Sequence, residues 1–182
     1  FEFEVPEIED GIIEIKSIAR VPGERSKVVV FSSDRRIDAV GACVGMKGNR
    51  IQSIVRELNG ENIDIINWSI QPEILISRSL APSKPINLFI DQERPYAMAV
   101  FEDDELPMAI GRNGQNIILS SKVTGYTIDA IKKSDHDKEN AIQLDEIDSL
   151  PEKFKNTFKE SNINTTTDFL SLKDEELLEL KG

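Results

Sequence analysis

Val44-Gly45-Met46-Lys47-Gly48-Asn49 and Ile110-Gly111-Arg112-Asn113-Gly114-Gln115 are two copies of one short pattern in this chain of 182 residues. Each copy has an apolar residue, a glycine, two residues that include a cation, a second glycine and an amide. The first glycines lie 66 positions apart (111 minus 45). One GxxG alone is weak evidence, because short motifs often occur by chance. Two copies in matching surroundings favour a repeated helix–loop–helix unit.

The glycines of each copy predict a tight turn that can approach a phosphate. Glycine tolerates left-handed backbone angles and has no Cβ, so a ribose-phosphate chain can come close. The helix that follows presents N–H groups that favour an anion, and Lys47 or Arg112 adds one positive charge. The pattern resembles the GXXG loop of the KH domain, which clamps about four nucleotides of single-stranded nucleic acid. The alternative is a glycine-rich turn that binds nothing.

Charge is distributed unevenly along the chain. The formal net charge is −11, yet residues 20–60 contain eight Lys or Arg against four acids. Residues 141–182 contain five Lys against ten acids. A basic region around the first loop suits a nucleic acid, and the acidic tail suits a protein contact. The alternative for both regions is an ordinary solvated surface.

The composition argues against membrane, catalytic and metal-binding roles. No apolar run reaches membrane-spanning length and no signal peptide is recognisable, so we expect a soluble, cytoplasmic protein. Cys43 has apolar neighbours that predict a buried thiol, and the one histidine, His136, lies in a polar segment. Residues 102–105 are consecutive acids, which we interpret as a helix N-terminus and not as metal ligands. We predict no catalytic residue, no metal ligand and no cofactor.

The residues around the first loop predict the order strand, strand, helix, loop, helix, strand. β-branched residues flank Pro22-Gly23 and favour a hairpin, although residues 12–19 also fit a helical period. Asp38 is a suitable cap for the first helix, and Asn59-Gly60 is suited to end the second. The predicted segments are residues 12–20, 26–33, 39–44, 49–58 and 63–68.

The second loop has the same predicted surroundings, preceded by a connecting helix over residues 71–80. Asp103 or Asp104 is the predicted cap of the helix that leads to Ile110. Ser120 and Ser121 stand where the first copy has Ile54 and Val55, so we expect closer packing there against the connecting helix or the other copy. The remaining predicted segments are strands 86–91 and 96–102, helix 115–124 and strand 126–131.

The rest of the chain is predicted to be a charged linker followed by short amphipathic helices. Apolar residues recur at helical spacing from Ile147 onward and end with residues 177–180. Thr167 or Asp168 is the predicted cap of the helix after the turn at residues 162–166. The segment is similar to an incomplete helix-hairpin-helix unit, and its acidity favours a protein partner.

These stretches resemble the NusA family of bacterial transcription factors. The resemblance rests on residues 38–48, on residues 109–116 and on the joining Leu80-Ala81-Pro82. Val5-Pro6-Glu7-Ile8 is similar to the family's passage from its S1 domain into its first KH domain. The resemblance extends from Phe1 to about residue 133. Ala39 departs from the family pattern, in which a proline is expected at that place.

The resemblance implies an α+β fold with two tandem type II KH domains, each a three-stranded sheet packed by helices. A small, all-helical segment follows them, and the chain is expected to be a piece of a longer protein. The predicted boundaries are 1–11 for the end of the S1 region, 12–70 and 71–132 for the KH domains, 133–140 for the linker and 141–182 for the acidic helical segment.

The resemblance also implies a monomeric elongation factor that binds nascent single-stranded RNA. It would act with RNA polymerase and other transcription or antitermination factors in pausing, termination and antitermination. From the residues themselves, we expect the glycines to approach phosphates, the cations to add charge and the amides to read base edges. The predicted RNA-binding residues are Gly45, Met46, Lys47, Gly48, Asn49, Arg50, Gln52, Ile110, Gly111, Arg112, Asn113, Gly114, Gln115 and Asn116.

Three other functions compete with this interpretation. Another type II KH protein, such as a ribosomal protein or a KH-bearing GTPase, is disfavoured because the chain is acidic and has no P-loop. An enzyme is disfavoured because consecutive acids point in different directions. A protein-interaction scaffold with inactive KH folds stays open, although the retained loop glycines and cations argue against it.

Overall fold

The protein is described by a computed structural model that covers residues 1–91, 93–173 and 177. It consists of two compact units, residues 1–132 and residues 133–182. Both glycine loops lie in the first unit. No helix in the described ranges is both long and apolar enough to cross a membrane.

The first unit contains one order of elements twice, α, β, β, α, α, β, which confirms the two tandem KH folds. The first copy consists of α1 (Pro6–Glu9), β1 (Ile13–Val21), β2 (Arg25–Ser32), α2 (Ala39–Val44), α3 (Asn49–Glu57) and β3 (Asn62–Asn67). The second consists of α4 (Pro72–Ser79), β4 (Asn87–Asp91), β5 (Tyr96–Phe101), α5 (Leu106–Ile110), α6 (Gln115–Thr124) and β6 (Thr127–Lys132). The alternative helix over residues 12–19 is wrong, because those residues belong largely to β1.

Each copy has a three-stranded sheet with the same topology. The sheet orders are β1-β2-β3 and β4-β5-β6. The first pair of strands is antiparallel and the second pair is parallel in both sheets. Because successive strand residues face opposite sides, Val28 and Val30 pack with Ala39 and Cys43 of α2, whereas Val29 faces the other way.

The two copies pack together through α6 of the second copy and the outer face of the first sheet. Val29 and Ile66 form one buried cluster with Leu119 and Val123 of α6. The Ser17 hydroxyl donates a hydrogen bond of 2.7 Å to the carbonyl of Val123. The repeated folds therefore form one continuous body.

The small residues of α6 allow the close packing that the sequence predicts. The buried Ser120 hydroxyl donates to the carbonyl of Ser79, at the end of α4, over 2.7 Å. The Ser121 hydroxyl accepts from the backbone N–H of Ile128 over 3.1 Å. The expected contact is therefore confirmed for the connecting helix.

The predicted cap of α2 is present in the first unit, and the predicted cap of α5 is not. The Asp38 side chain accepts from the N–H of Val40 at 3.1 Å, so the predicted cap of α2 is confirmed. Asp103 and Asp104 do not cap α5, because that helix begins at Leu106 and Glu105 occupies the cap position without a side-chain bond. The carbonyl of Glu102 instead accepts the first N–H groups of the turn.

The second unit contains α7 (Lys133–Glu139), α8 (Glu152–Glu160) and α9 (Thr166–Leu170). The segment predicted to be a charged linker, residues 133–140, is thus mostly helical. Leu144, Phe158 and Ile163 are the buried centre of the small core of this unit. Of the apolar helix predicted at residues 177–180, only residue 177 lies among the described residues.

The cap of α9 differs from the prediction. Thr165, and not Thr167 or Asp168, occupies the cap position, and its side chain accepts from the N–H of Asp168. The Asp168 carboxylate accepts in return from the N–H of Thr165 at 2.9 Å. This reciprocal pair is a capping box.

Candidate nucleic-acid interface

The two glycine loops have the same backbone conformation. Gly45 has φ 74° and ψ 173°, and Gly111 has φ 76° and ψ 173°. Lys47 and Asn113, each at the third position, have φ 53° with ψ 27° and 26°. The second glycines are left-handed, with φ 76° and 71°. Two different sequences therefore build one loop geometry.

The first glycine of each loop is required by close packing as well as by its positive φ. A Cβ on Gly45 would lie 2.4 Å from Oδ1 of Asn49 and 2.7 Å from Cγ of Arg50. A Cβ on Gly111 would lie 2.8 Å from Cβ of Asn116 and 3.1 Å from its backbone nitrogen. Each loop thus folds back tightly onto the first turn of the helix that follows.

The outer parts of both loops are open to a ligand. Met46 is 86% exposed, and Lys47 is exposed beside it. Arg112 and Asn113 are exposed in the second loop. The loops lead directly into α3 and α6. The first N–H group of each helix donates to the carbonyl of Met46 or of Arg112, and the N–H groups that follow in the first turn have no partner within their own helix and favour an anion.

The other predicted site residues lie next to the two glycine loops. Asn49 and Gln52 are exposed on the first turn of α3. Ile110 and Gln115 are half-buried on either side of the second loop. These side chains surround the loops, whereas two further predicted residues, Arg50 and Asn116, are directed inward.

Arg50 is committed to packing within the first copy. Its Nη1 donates to the carbonyl of Ala42 at 2.7 Å and to Oε2 of Glu7 at 3.0 Å. The side chain is half-buried between α1 and α2. Its charge still lies close to the loop, but its hydrogen bonds hold the loop in place.

Asn116 is buried beneath the second loop, with 1% of its surface exposed. Its Nδ2 donates to the carbonyl of Ala109 at 2.9 Å and to the carbonyl of Leu80 at 3.2 Å. Its buried Oδ1 has no hydrogen-bond partner among the residues that the structure describes. This burial does not favour the expectation that the Asn116 amide reads base edges, and its hydrogen bonds give it a supporting role beneath the loop.

The second loop adjoins the hairpin turn of the first copy. The Gln115 side-chain amide donates to the carboxylate of Glu24, in the turn between β1 and β2. The sequence gives no signal for this contact, because the two residues lie 91 positions apart. It places the second loop beside the start of β2.

Glu61 is a buried carboxylate that holds this hairpin turn and was not found from the sequence. Its oxygens accept from Nε of Arg20 at 2.8 Å, from the N–H of Gly23 at 2.8 Å and from the hydroxyl of Ser26. The Arg20 guanidinium is the main cause that lowers the pKa of Glu61 to about 2. Glu61 follows a helix-ending glycine, where neither helix nor strand periodicity applies.

The cysteine is a core residue, as the sequence predicts. Cys43 is fully buried on α2. Burial raises the pKa of its thiol to about 11. The thiol is therefore protonated at neutral pH.

The fold and its paired loops define a tandem KH protein. A family model described as the NusA-like first KH domain matches residues 1–68, and one described as the NusA-like second KH domain matches residues 72–139. The chain belongs to the NusA family.

Three relatives carry the name transcription termination/antitermination protein NusA. The relative from Bacillus subtilis is 47% identical over 135 residues, which are 74% of this chain and 36% of that protein. The one from Halalkalibacterium halodurans is 45% identical over 146 residues, 80% of this chain and 38% of that protein. The one from Rickettsia prowazekii is 45% identical over 141 residues, which are 76% of this chain and 28% of that protein. The chain thus spans less than two fifths of these relatives.

Proposed function

We propose that residues 1–132 bind single-stranded RNA within a transcription termination and antitermination factor. The observation that carries the proposal is the equal backbone conformation of the two exposed loops, at φ 74° and 76° for the first glycines and 53° for both third residues. Two equal clamps on one body can hold two stretches of one strand. The second contact then forms at high effective concentration.

Within each clamp, charge and shape act on different parts of the RNA. The glycines let a phosphate approach, while Lys47 or Arg112 and the helix N-terminus attract it. We assign the reading of base edges to the exposed amides of Asn49 and Gln52 and to the half-buried amide of Gln115. Ile110 and Val44 add an apolar wall beside the loops.

The wider role follows from the family. The names of the relatives connect them with termination and antitermination of transcription. We infer that this chain acts with RNA polymerase and other transcription factors, on nascent RNA in the cytoplasm, and that it modulates pausing. A monomer suffices, since both clamps are in one chain.

The test is fluorescence anisotropy of an A-rich RNA of about 12 nucleotides, three times the span of one clamp, over a series of salt concentrations. The loop variants are Met46→Asp/Lys47→Asp and Arg112→Asp/Asn113→Asp. We expect each to weaken binding by about tenfold or more. The slope of log K against log salt should also fall by about 0.7 for each phosphate that the variant no longer neutralises.

The control is Arg94→Asp, which changes the charge as much as the replacement of the loop cation alone and one unit less than either double variant. Arg94 lies in a pocket with Thr127, which follows the far end of α6. That end is about 15 Å from the second loop at 1.5 Å per residue. If loop variants with unchanged circular dichroism bind RNA as well as the control, the loops are structural and the scaffold function replaces RNA binding.

A further inference from the structure

A cationic pocket lies between the first sheet and the connecting segment of the second copy. Its volume is about 460 Å³. Arg25 and Lys27 of β2 and Asp64 of β3 line one side, and Arg78 of α4 and Pro82 line the other. The pocket thus belongs to the junction of the two KH folds and is separate from both glycine loops.

The pocket has more positive charge than its own carboxylate can balance. Asp64 Oδ2 lies 2.8 Å from Nη2 of Arg25 and 3.0 Å from Nζ of Lys27, so one acid serves two cations. Lys27 is only 1% exposed. With Arg78, three cations face one carboxylate.

Arg78 keeps hydrogen-bonding capacity in this pocket. Its Nη1 donates to the carbonyls of Asn67 and Trp68 at 3.0 and 3.4 Å. Its Nε and Nη2 have no acceptor within the part of the chain that the structure describes. The side chain is exposed. A guanidinium with two adjacent N–H groups is well suited to a phosphate oxygen pair.

The position of the pocket connects the two predicted clamps. β3 is an edge strand of the first sheet. α2, which leads into the first loop, packs on the face that carries Ile63 and Ile65, and Asp64 of the pocket lies on the other face. On the other side, Arg25 follows Glu24, which contacts Gln115 of the second loop. An RNA strand that passes from the first loop over the edge at β3 to the second loop would therefore cross the pocket.

We propose that this junction pocket binds a backbone phosphate of the RNA segment that runs between the two loops. The proposal rests on the proposed function, because its ligand is part of the same RNA strand. A phosphodiester is the fitting class of ligand, since the pocket offers positive charge and N–H donors, which match phosphate oxygens. The contact would not depend on the base sequence.

The state of Lys27 is consistent with an anion at this place. Burial lowers the pKa of Lys27, and the neighbouring Asp64 opposes this shift. A second anion in the pocket would further favour the charged lysine, because opposite charges stabilise each other most where water is excluded. The free protein thus holds a desolvated cation with a single carboxylate partner.

The test compares RNAs of about 4 and about 12 nucleotides, which fit one clamp or span both, on the full chain. The variant is Arg78→Gln, and Arg94→Gln is the control because Arg94 is also an exposed arginine of the second copy. We expect Arg78→Gln to bind the longer RNA about three- to tenfold more weakly and to lower the salt slope by about 0.7, with no change for the shorter RNA. Arg78→Lys should retain only part of the affinity, because it keeps the charge but loses the two adjacent N–H groups.

The outcomes separate this proposal from the proposed function. If Arg78→Gln binds the longer RNA like wild type while the loop variants bind weakly, the pocket proposal is wrong and the clamps stand. An equal loss on both RNA lengths also contradicts the pocket proposal, because the short RNA does not span the junction. If the loop variants bind like wild type, both proposals fail. Should thermal unfolding show that Arg78→Gln is misfolded, Arg25→Gln takes its place with the same expected result.

Discussion

The two KH copies hold the same loop by different means. In the first copy, half-buried Arg50 connects the loop helix to the carbonyl of Ala42 and to Glu7 of α1. In the second copy, the residue 66 positions later is Asn116, which is buried and connects the loop helix to the carbonyls of Ala109 and Leu80. An ion pair near the surface thus does in one copy what a buried amide does in the other.

The difference shows that the loop's own glycines determine its conformation, whereas the side chain that supports the loop bonds to residues far away in the sequence. The glycines dictate the turn in both copies, since only glycine adopts φ near +75° with ψ near 180° without strain. The supporting side chain needs only to donate to a carbonyl of the preceding helix and to the element before it. Arginine and asparagine both meet this requirement, but they respond differently to burial and salt.

The largest expected effect concerns the first glycine of the second loop. Gly111→Ala should lower the free energy of unfolding by about 3 kcal/mol, because it combines a glycine-only conformation with a clash against a backbone atom. Gly45→Ala should cost less, about 2 kcal/mol, because the three atoms nearest to its Cβ all belong to the side chains of Asn49 and Arg50, whereas two of the three nearest at Gly111 are backbone atoms. Urea unfolding of both variants measures the difference.

The control for this pair is Gly114→Ala, where an added Cβ would lie 3.5 Å from the Ile118 side chain in ordinary contact. It should cost about 1 kcal/mol from the left-handed angle alone. An equal loss in Gly45→Ala and Gly111→Ala would contradict the inference that the second loop is the more rigidly packed one.

The next effect concerns the two supports. Asn116→Ala should cost about 2 kcal/mol, because it leaves two carbonyls beneath the loop without their donor. Arg50→Ala should cost about 1 kcal/mol at low salt and less at high salt, since its pair with Glu7 is half-buried and partly screened. Urea unfolding at low and at high salt measures both. If the loss of unfolding free energy depended on salt for Asn116→Ala, or did not depend on salt for Arg50→Ala, the two supports would not differ as we infer.

A smaller effect concerns a buried carboxylate that only the first copy has. Thr127 stands 66 positions after Glu61 and is exposed. Glu61→Gln should cost about 1.5 kcal/mol at neutral pH, because charged hydrogen bonds become neutral ones. The folded pKa of about 2 lies below the ordinary 4.5, so this stabilisation is complete above pH 4.5 and is lost as the pH falls toward 2.

Thermal unfolding of Glu61→Gln and wild type at several pH values is the corresponding measurement. The difference between them should be largest near pH 7 and should shrink below pH 4.5. Asp129→Asn is the control. Its exposed carboxylate accepts from the neutral Tyr96 hydroxyl at 3.0 Å, so its replacement should lower the free energy of unfolding less than Glu61→Gln does at neutral pH. A constant difference down to the most acid pH would show that Glu61 is not held by charge.

The sequence predicted the parts of this fold that depend on neighbouring residues. Both hairpins, both loops and the helices beside them follow from glycine, proline and apolar spacing, which act over a few positions. Ser120 was also predicted correctly, because a small residue at an apolar position of a repeat indicates a close neighbour. The resemblance to the family supplied the domain type as a whole.

The sequence did not reveal features that depend on distant residues. Asn116 has the amide expected of a base reader, and only the packing of α4 over it shows that it is buried. Glu61 finds Arg20 across the sheet, 41 positions away. The charged residues 133–139 contain no apolar stripe, so their helix was not predicted. The one helical signal there is the i,i+3 pair of Asp135 and Lys138, whose Oδ1 and Nζ lie 3.7 Å apart.

The smallest expected effect exchanges the third residues of the two loops. Lys47 and Asn113 share φ 53°, and asparagine tolerates this left-handed conformation better than lysine. Lys47→Asn should therefore stabilise the protein by about 0.5 kcal/mol, and Asn113→Lys should destabilise it by the same amount. RNA affinity should change in the opposite sense, because the first exchange removes a loop cation and the second adds one. Urea unfolding and RNA anisotropy on the same two variants test this, with the double exchange as the control that restores the charge. If Lys47→Asn were less stable than wild type, Lys47 would stabilise the fold. The presence of a lysine in a left-handed conformation would then no longer support phosphate binding by the first loop.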